Sequence, residues 1–109
     1  MSRAEREHLR IQYPTAARPN LLVDGRACEV LDISERGVRF RVGDDVALEV
    51  GDTISGRVRF RRTDAVDVKG TVLRIVGREV AAKLDVGVPL KVVIEEQRYL
   101  REVHRGMAW

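Results

Sequence analysis

Asp32 and Ser34 stand two residues apart in Leu31-Asp32-Ile33-Ser34-Glu35-Arg36-Gly37, so on a strand they share a face. An ionised aspartate only accepts hydrogen bonds, while a serine hydroxyl both donates and accepts. Guanine offers two adjacent donors, N1–H and the exocyclic amine, and one carboxylate can take both. Gly37 allows either a positive φ or a close approach of a ligand to the backbone. An ordinary Asx or serine turn closing a hairpin uses the same residue types. Upstream, Arg6 and Arg10 are spaced RxxxR. On a helix, or on an extended chain, both guanidiniums fall on one side. Two such forks suit phosphate, or the O6 and N7 acceptors of guanine.

Other chemistry is missing from the sequence. His8 and His104 lie at opposite ends, with no cysteine or carboxylate cluster at metal-ligand spacing. Cys28 falls in an apolar strand and reads as a small buried hydrophobe. There is no phosphate loop and no GxGxxG fingerprint. Ser34 has no evident histidine partner. Glu95 and Glu96 are neighbours on a helix, diverge, and suit solvent better than acid–base work. An enzyme is not expected, and neither is a metal or resident cofactor.

The chain has 109 residues, one cysteine and a formal net charge of +3, from 20 basic and 17 acidic residues. Such a length fits one domain with a real core. A single cysteine allows no internal disulfide, which fits a reducing compartment. No signal peptide and no run of about 20 apolar residues is visible, so a soluble, cytoplasmic protein without membrane insertion is expected. Most of the cations are arginine, the residue suited to phosphate and to guanine's acceptor edge.

These residues need elements to position them. Residues 1–19 read as an irregular or partly helical arm that carries RxxxR and ends in Pro14 and Pro19. Residues 20–109 read as strands followed by a helix. Asp24-Gly25, between two apolar runs, predicts a type I′ hairpin, and Gly77-Arg78 a second tight turn. About six short strands at regular spacing form the pattern of an antiparallel barrel or sandwich. Between Ala27 and Ile33 the alternation slips, from Cys28 and Val30 to Leu31 and Ile33. A bulge explains this, as does a strand covered on both faces, and a bulge would re-aim Asp32. Pro89 opens an amphipathic helix whose apolar residues are Leu90, Val93, Ile94, Leu100 and Val103, with its end expected at Gly106.

RxxxR near the start, followed by DxSxxG at a strand-turn, resembles the PilZ domain family. The late hairpin GTVLRIVGREVAAKL and the ending VPLKVVIEEQRYL extend the similarity to roughly 6–105. The resemblance implies a six-stranded antiparallel β-barrel with a C-terminal α-helix, and binding of the bacterial second messenger cyclic di-GMP. Carried over, Arg6 and Arg10 hold phosphate and guanine, Asp32 and Ser34 read the base, and Gly37 shapes the turn. Arg3, Arg36 and Arg39 are additional candidate contacts. Glu5 and Glu7 flank Arg6 and weaken attraction for a second ligand, so one cyclic di-GMP per site is expected.

An arm with little apolar content should be mobile without ligand and ordered by it. With no output domain attached, the signal would pass to an unidentified effector protein, making the chain a stand-alone adaptor. Motility, surface attachment, polysaccharide secretion and virulence are the processes the resemblance implies. Two rival readings stand beside it. One is a PilZ-like interaction module that binds no nucleotide. The other is a nucleic-acid-binding barrel, if Arg39 and Arg41 lie on a strand beside Arg57, Arg59 and Arg61. Scarce aromatic residues and the aspartates at 44, 45, 64 and 67 argue against nucleic acid. Trp109 is read as packing on the barrel or lying in solvent.

Overall fold

The computed structural model describes residues 9–105, and side chains through residue 103. Strands β1 (Ile11–Gln12), β2 (Asn20–Val23), β3 (Arg26–Ser34), β4 (Gly37–Arg41), β5 (Thr53–Arg59), β6 (Val66–Val76) and β7 (Glu79–Val86) precede helix α1 (Leu90–Arg105). All strand pairings are antiparallel. The order β3-β2-β5-β6-β7-β4 closes through a β3–β4 ladder into a six-stranded barrel, with β1 added as a short extra strand on β3. This is the barrel with one C-terminal helix that the sequence implied. Closure leaves no free edge among the six strands.

The β2–β3 turn places both Asp24 (φ 52°) and Gly25 (φ 77°) in the left-handed region, as a type I′ turn requires. Val30, Ile33, Phe40, Val58, Val68 and Leu84 fill the barrel interior with no exposure above trace. β4 lies between β3 and β7, and β5 between β2 and β6. The arginines of β4 and those of β5 are therefore not on neighbouring strands, and the stripe needed for a polyanion track does not form. Arg41 and Arg57 are instead paired with Glu79 and Asp67.

The slip in β3 proves to be both of the alternatives. The β3–β4 register runs Val30 opposite Phe40, then Asp32 opposite Arg39, so Leu31 is the extra residue of a bulge. From Val30 to Ser34 the strand is also buried on both faces. The chain before β2 extends the pairing along its edge, where Tyr13 N–H donates to Leu31 O at 2.9 Å and Val30 N–H to Pro19 O at 2.9 Å.

Two expectations for the helix need correction. Leu90 and Ile94 are 45% and 40% exposed, while Val92, Val93 and Glu96 are buried. The buried stripe is displaced by one residue from the Leu90–Ile94 line, or about 100° around the axis. Val88, buried just before Pro89, fixes the entry of the helix and hence its rotation. Nor does Glu96 face solvent. It is 2% exposed, and its Oε1 accepts a 2.5 Å hydrogen bond from the Tyr13 hydroxyl, 83 residues away in sequence. Arg62 holds the helix from its outer side, donating to Glu102 at 2.6 Å and lying 4.9 Å over the Tyr99 ring.

Burial raises the Glu96 pKa above its ordinary value, outweighing the Tyr13 bond, which favours the ionised form. Its second oxygen, Oε2, is buried without a hydrogen-bond partner in the described structure. Burial and the adjacent carboxylate hold the Tyr13 hydroxyl protonated. A raised folded pKa means that stability is fullest below the unfolded value and declines as pH rises through the folded value. Glu96→Gln should therefore flatten the loss of stability between mildly acidic and mildly alkaline pH. Urea unfolding of both proteins across that range checks this. An unchanged slope would show that Glu96 is not the titrating group.

Candidate functional site

The bulge decides which way Asp32 points. Without it, Asp32 would keep the parity of Cys28 and Val30 and enter the barrel. With it, Ile33 takes the core position and Asp32 turns to the outer face, opposite Arg39. There the carboxylate is covered rather than solvated, its side chain 4% exposed. β1 runs beside it in the sheet, with Gln12 paired to Asp32.

A buried carboxylate needs compensating donors. Arg10 Nη1 donates to Oδ1 at 2.6 Å, and Arg39 Nε donates to Oδ2 at 2.7 Å. Arg39 Nη1 also donates to Glu79 Oε1 at 2.8 Å. The hydrogen bond to Asp32 raises the Arg39 pKa, with a smaller opposing effect from burial. Arg39 is thus fixed between two carboxylates and fixes Asp32 in turn. Among the described residues Arg10 is held by Asp32 alone, and it is about half exposed, which makes it the movable partner.

Ser34 and Gly37 face each other across the two-residue turn Glu35-Arg36. The turn is clamped from behind. Glu35 O accepts from Val88 N–H at 3.2 Å, and Arg36 O accepts from Leu84 N–H at 2.9 Å. The chain after β7 approaches so closely at Gly87 that an added Cβ would meet Glu35 O at 1.8 Å. Of the two uses expected of Gly37, the structure lacks the first. Its φ is not positive, and an added Cβ would meet only Ser34 Oγ at 3.5 Å and Ala82 O at 3.7 Å, both ordinary contacts. Neither the turn geometry nor the protein's own packing demands glycine there. Its bare backbone opens instead onto a concavity of about 440 Å³.

That concavity brings together Arg10, Ser34, Gly37 and Arg39, with Arg36 on its rim. Asp32 is not in its lining and is joined to it through Arg10 and Arg39. Arg3 and Arg6 lie outside the described residues. Sequence reasoning missed Glu79, Leu73, Arg74 and Lys83. For Leu73 and Arg74 a signal existed, because the inward positions pass from Val72 to Ile75, the same kind of parity slip that marks β3. Among the described residues no cluster of three metal-ligating side chains occurs, and no helix is long and apolar enough to cross a membrane.

The family model of the PilZ domain matches residues 4–104. Among solved structures, the chain is similar to the Bacillus subtilis inhibitor of motility (MotI/DgrA), with a TM-score of 0.68 and 13% identity. That match covers 88% of this chain and 53% of the other, so this chain spans about half the length of that protein. At such low identity the likeness shows the fold. A comparison with curated protein sequences finds no match. The chain belongs to the PilZ domain family, whose domains are cyclic di-GMP receptor modules.

Removing the Asp32 carboxylate strands two arginines, but both are partly exposed and can turn to water. Asp32→Ala should therefore cost about 1–2 kcal/mol, less than loss of a fully buried pair. Chemical denaturation measures it. A variant as stable as wild type would mean that Asp32 carries no structural role.

Proposed function

We propose that this PilZ-domain chain binds cyclic di-GMP at the Arg10–Asp32–Ser34–Gly37 concavity and relays the signal to a partner protein. The observation that carries the reading is a buried carboxylate held by one fixed and one releasable arginine, beside a hydroxyl and a bare stretch of backbone. In this account the guanine edge presents N1–H and the exocyclic amine to Asp32 and displaces Arg10. Arg10 then grips phosphate or the guanine O6/N7 edge, with Arg6 one helical turn or four extended residues earlier as the second fork. Arg39 stays on Asp32 and Glu79 and preserves the aim of the carboxylate. Ser34 supplies a further hydrogen bond, and Gly37 leaves room for the ligand. One ligand occupies each site.

The relay runs through the segment that follows Arg10. β1 and Tyr13 lie within three residues of Arg10, and Tyr13 is bonded to Glu96 on α1. A shift of Arg10 on ligand binding moves a segment attached to the helix, which makes the helix the element that a partner reads.

Calorimetric titration of cyclic di-GMP tests this. Wild type should bind, and Arg10→Ala and Asp32→Ala should each lose about ten- to a hundred-fold in affinity. Gly37→Ala should keep the wild-type melting temperature while binding more weakly. An absence of binding heat with wild type would overturn the reading and favour a module that works through protein contacts alone.

A further inference from the structure

Helix α1 has a second face that the barrel does not use. Leu90 and Ile94 stand one turn apart, both exposed. At about 100° per residue, Arg98 and Arg101 continue their stripe toward the C-terminal end, and Lys91 stands on its flank. These three cations are exposed as well. Val92, Val93 and Glu96 lie on the other, buried side.

The helix's own acids do not balance this face. Glu95 and Glu102 stand together on the flank toward Arg62, which reaches them at 3.9 Å and 2.6 Å. Arg98 reaches Glu95 at 3.3 Å, an exposed pair of small worth. Lys91 and Arg101 make no ion pair among the described residues. Lys91 also sits in the first turn, which holds no acidic residue, although the helix dipole disfavours a cation there. Two aliphatics beside three cations are complementary to a helix that carries aliphatics and carboxylates on one side. Such a face repels a second copy of itself. It is also joined to the nucleotide site, because Glu96, bonded to Tyr13, follows Ile94 by two residues in the same turn.

We propose that the Leu90–Ile94–Arg101 face of α1 docks an acidic amphipathic helix of the partner protein. The partner's aliphatics pack on Leu90 and Ile94, and its carboxylates meet Lys91, Arg98 and Arg101. The proposal rests on the reading above that a partner reads this helix, and one set of titrations separates the two. The probes are two fluorescein-labelled helical peptides that share a leucine pair at i and i+4. One carries glutamates along the same face, the other lysines. Fluorescence anisotropy with cyclic di-GMP present measures their binding to wild type, Ile94→Ser, Lys91→Glu and Arg101→Glu. Arg59→Ala, an exposed arginine on β5, is the control. Cyclic di-GMP is titrated separately into each protein.

Wild type should bind the glutamate peptide and not the lysine peptide. Ile94→Ser and the two charge reversals should each weaken that binding about five- to ten-fold. Arg101→Glu should gain affinity for the lysine peptide, and Arg59→Ala should match wild type. All variants should keep the wild-type melting temperature and affinity for cyclic di-GMP. If wild type binds cyclic di-GMP but neither peptide, or both peptides equally, the docking proposal is overturned and the nucleotide site stands. If the glutamate peptide binds as described and cyclic di-GMP does not, the receptor reading falls and the docking face stands. Binding of phosphatidylglycerol vesicles in place of either peptide would assign the face to a membrane surface and overturn the proposal. A wild-type dimer that Ile94→Ser dissociates would overturn it too.

Discussion

A carboxylate taken out of water must be paid for in donors, and Asp32 is where this chain meets that demand. Bare desolvation of such an ion costs several kcal/mol even after relaxation. Two arginines, one on each oxygen, offset it. Much of the local architecture serves this arrangement. The Leu31 bulge turns Asp32 away from the core, β1 pairs beside it, and Glu79 pins Arg39 so that its fork stays in place. The partners are unequal. Arg39 is tied at both ends, while Arg10 has one tie among the described residues and is about half exposed. A buried acceptor with one exchangeable donor is stable when empty and ready for a ligand that brings its own donors.

The same segment also reaches the helix, which packs on β1 and β3. Three residues after Arg10, Tyr13 turns inward to the buried Glu96 of α1. Glu96 is itself a second ion-sized group out of water, with its pKa pushed up by burial. The N-terminal segment thus joins two buried carboxylates, one at the barrel rim and one under the helix. Each carboxylate fixes the segment at one point, which is why movement at the first point bears on the second.

The parts of the structure that depend on local sequence were legible. Asp24-Gly25 specified a type I′ turn because few other pairs accept two positive φ angles. The parity slip in β3 signalled a bulge or a strand covered on both faces, and both are present, while Asp32 and Ser34 share a face because they stand two residues apart. What depended on long-range contact was not legible. The helix rotation was set by Val88, outside the helix pattern. Glu96 looked solvated because its partner lies 83 residues away. Glu79, 40 residues from Arg39, was invisible for the same reason. The arginine stripe assumed that β4 and β5 are neighbours, and barrel closure instead put β3 and β7 beside β4. At Gly37 the sequence allowed a positive φ or a close approach to the backbone; the φ is not positive, and the space above the backbone is open.

The central claim is that Arg10 leaves Asp32 when ligand arrives while Arg39 stays. Side-chain NMR of the arginine Nε–Hε groups, followed during addition of cyclic di-GMP, tests it most directly. The account predicts a large shift of the Arg10 signal, together with the Ser34 and Gly37 amides, and an Arg39 signal that remains narrow and protected from exchange with water. An Arg10 signal unmoved at saturating ligand, or an Arg39 signal that loses its protection, would contradict it.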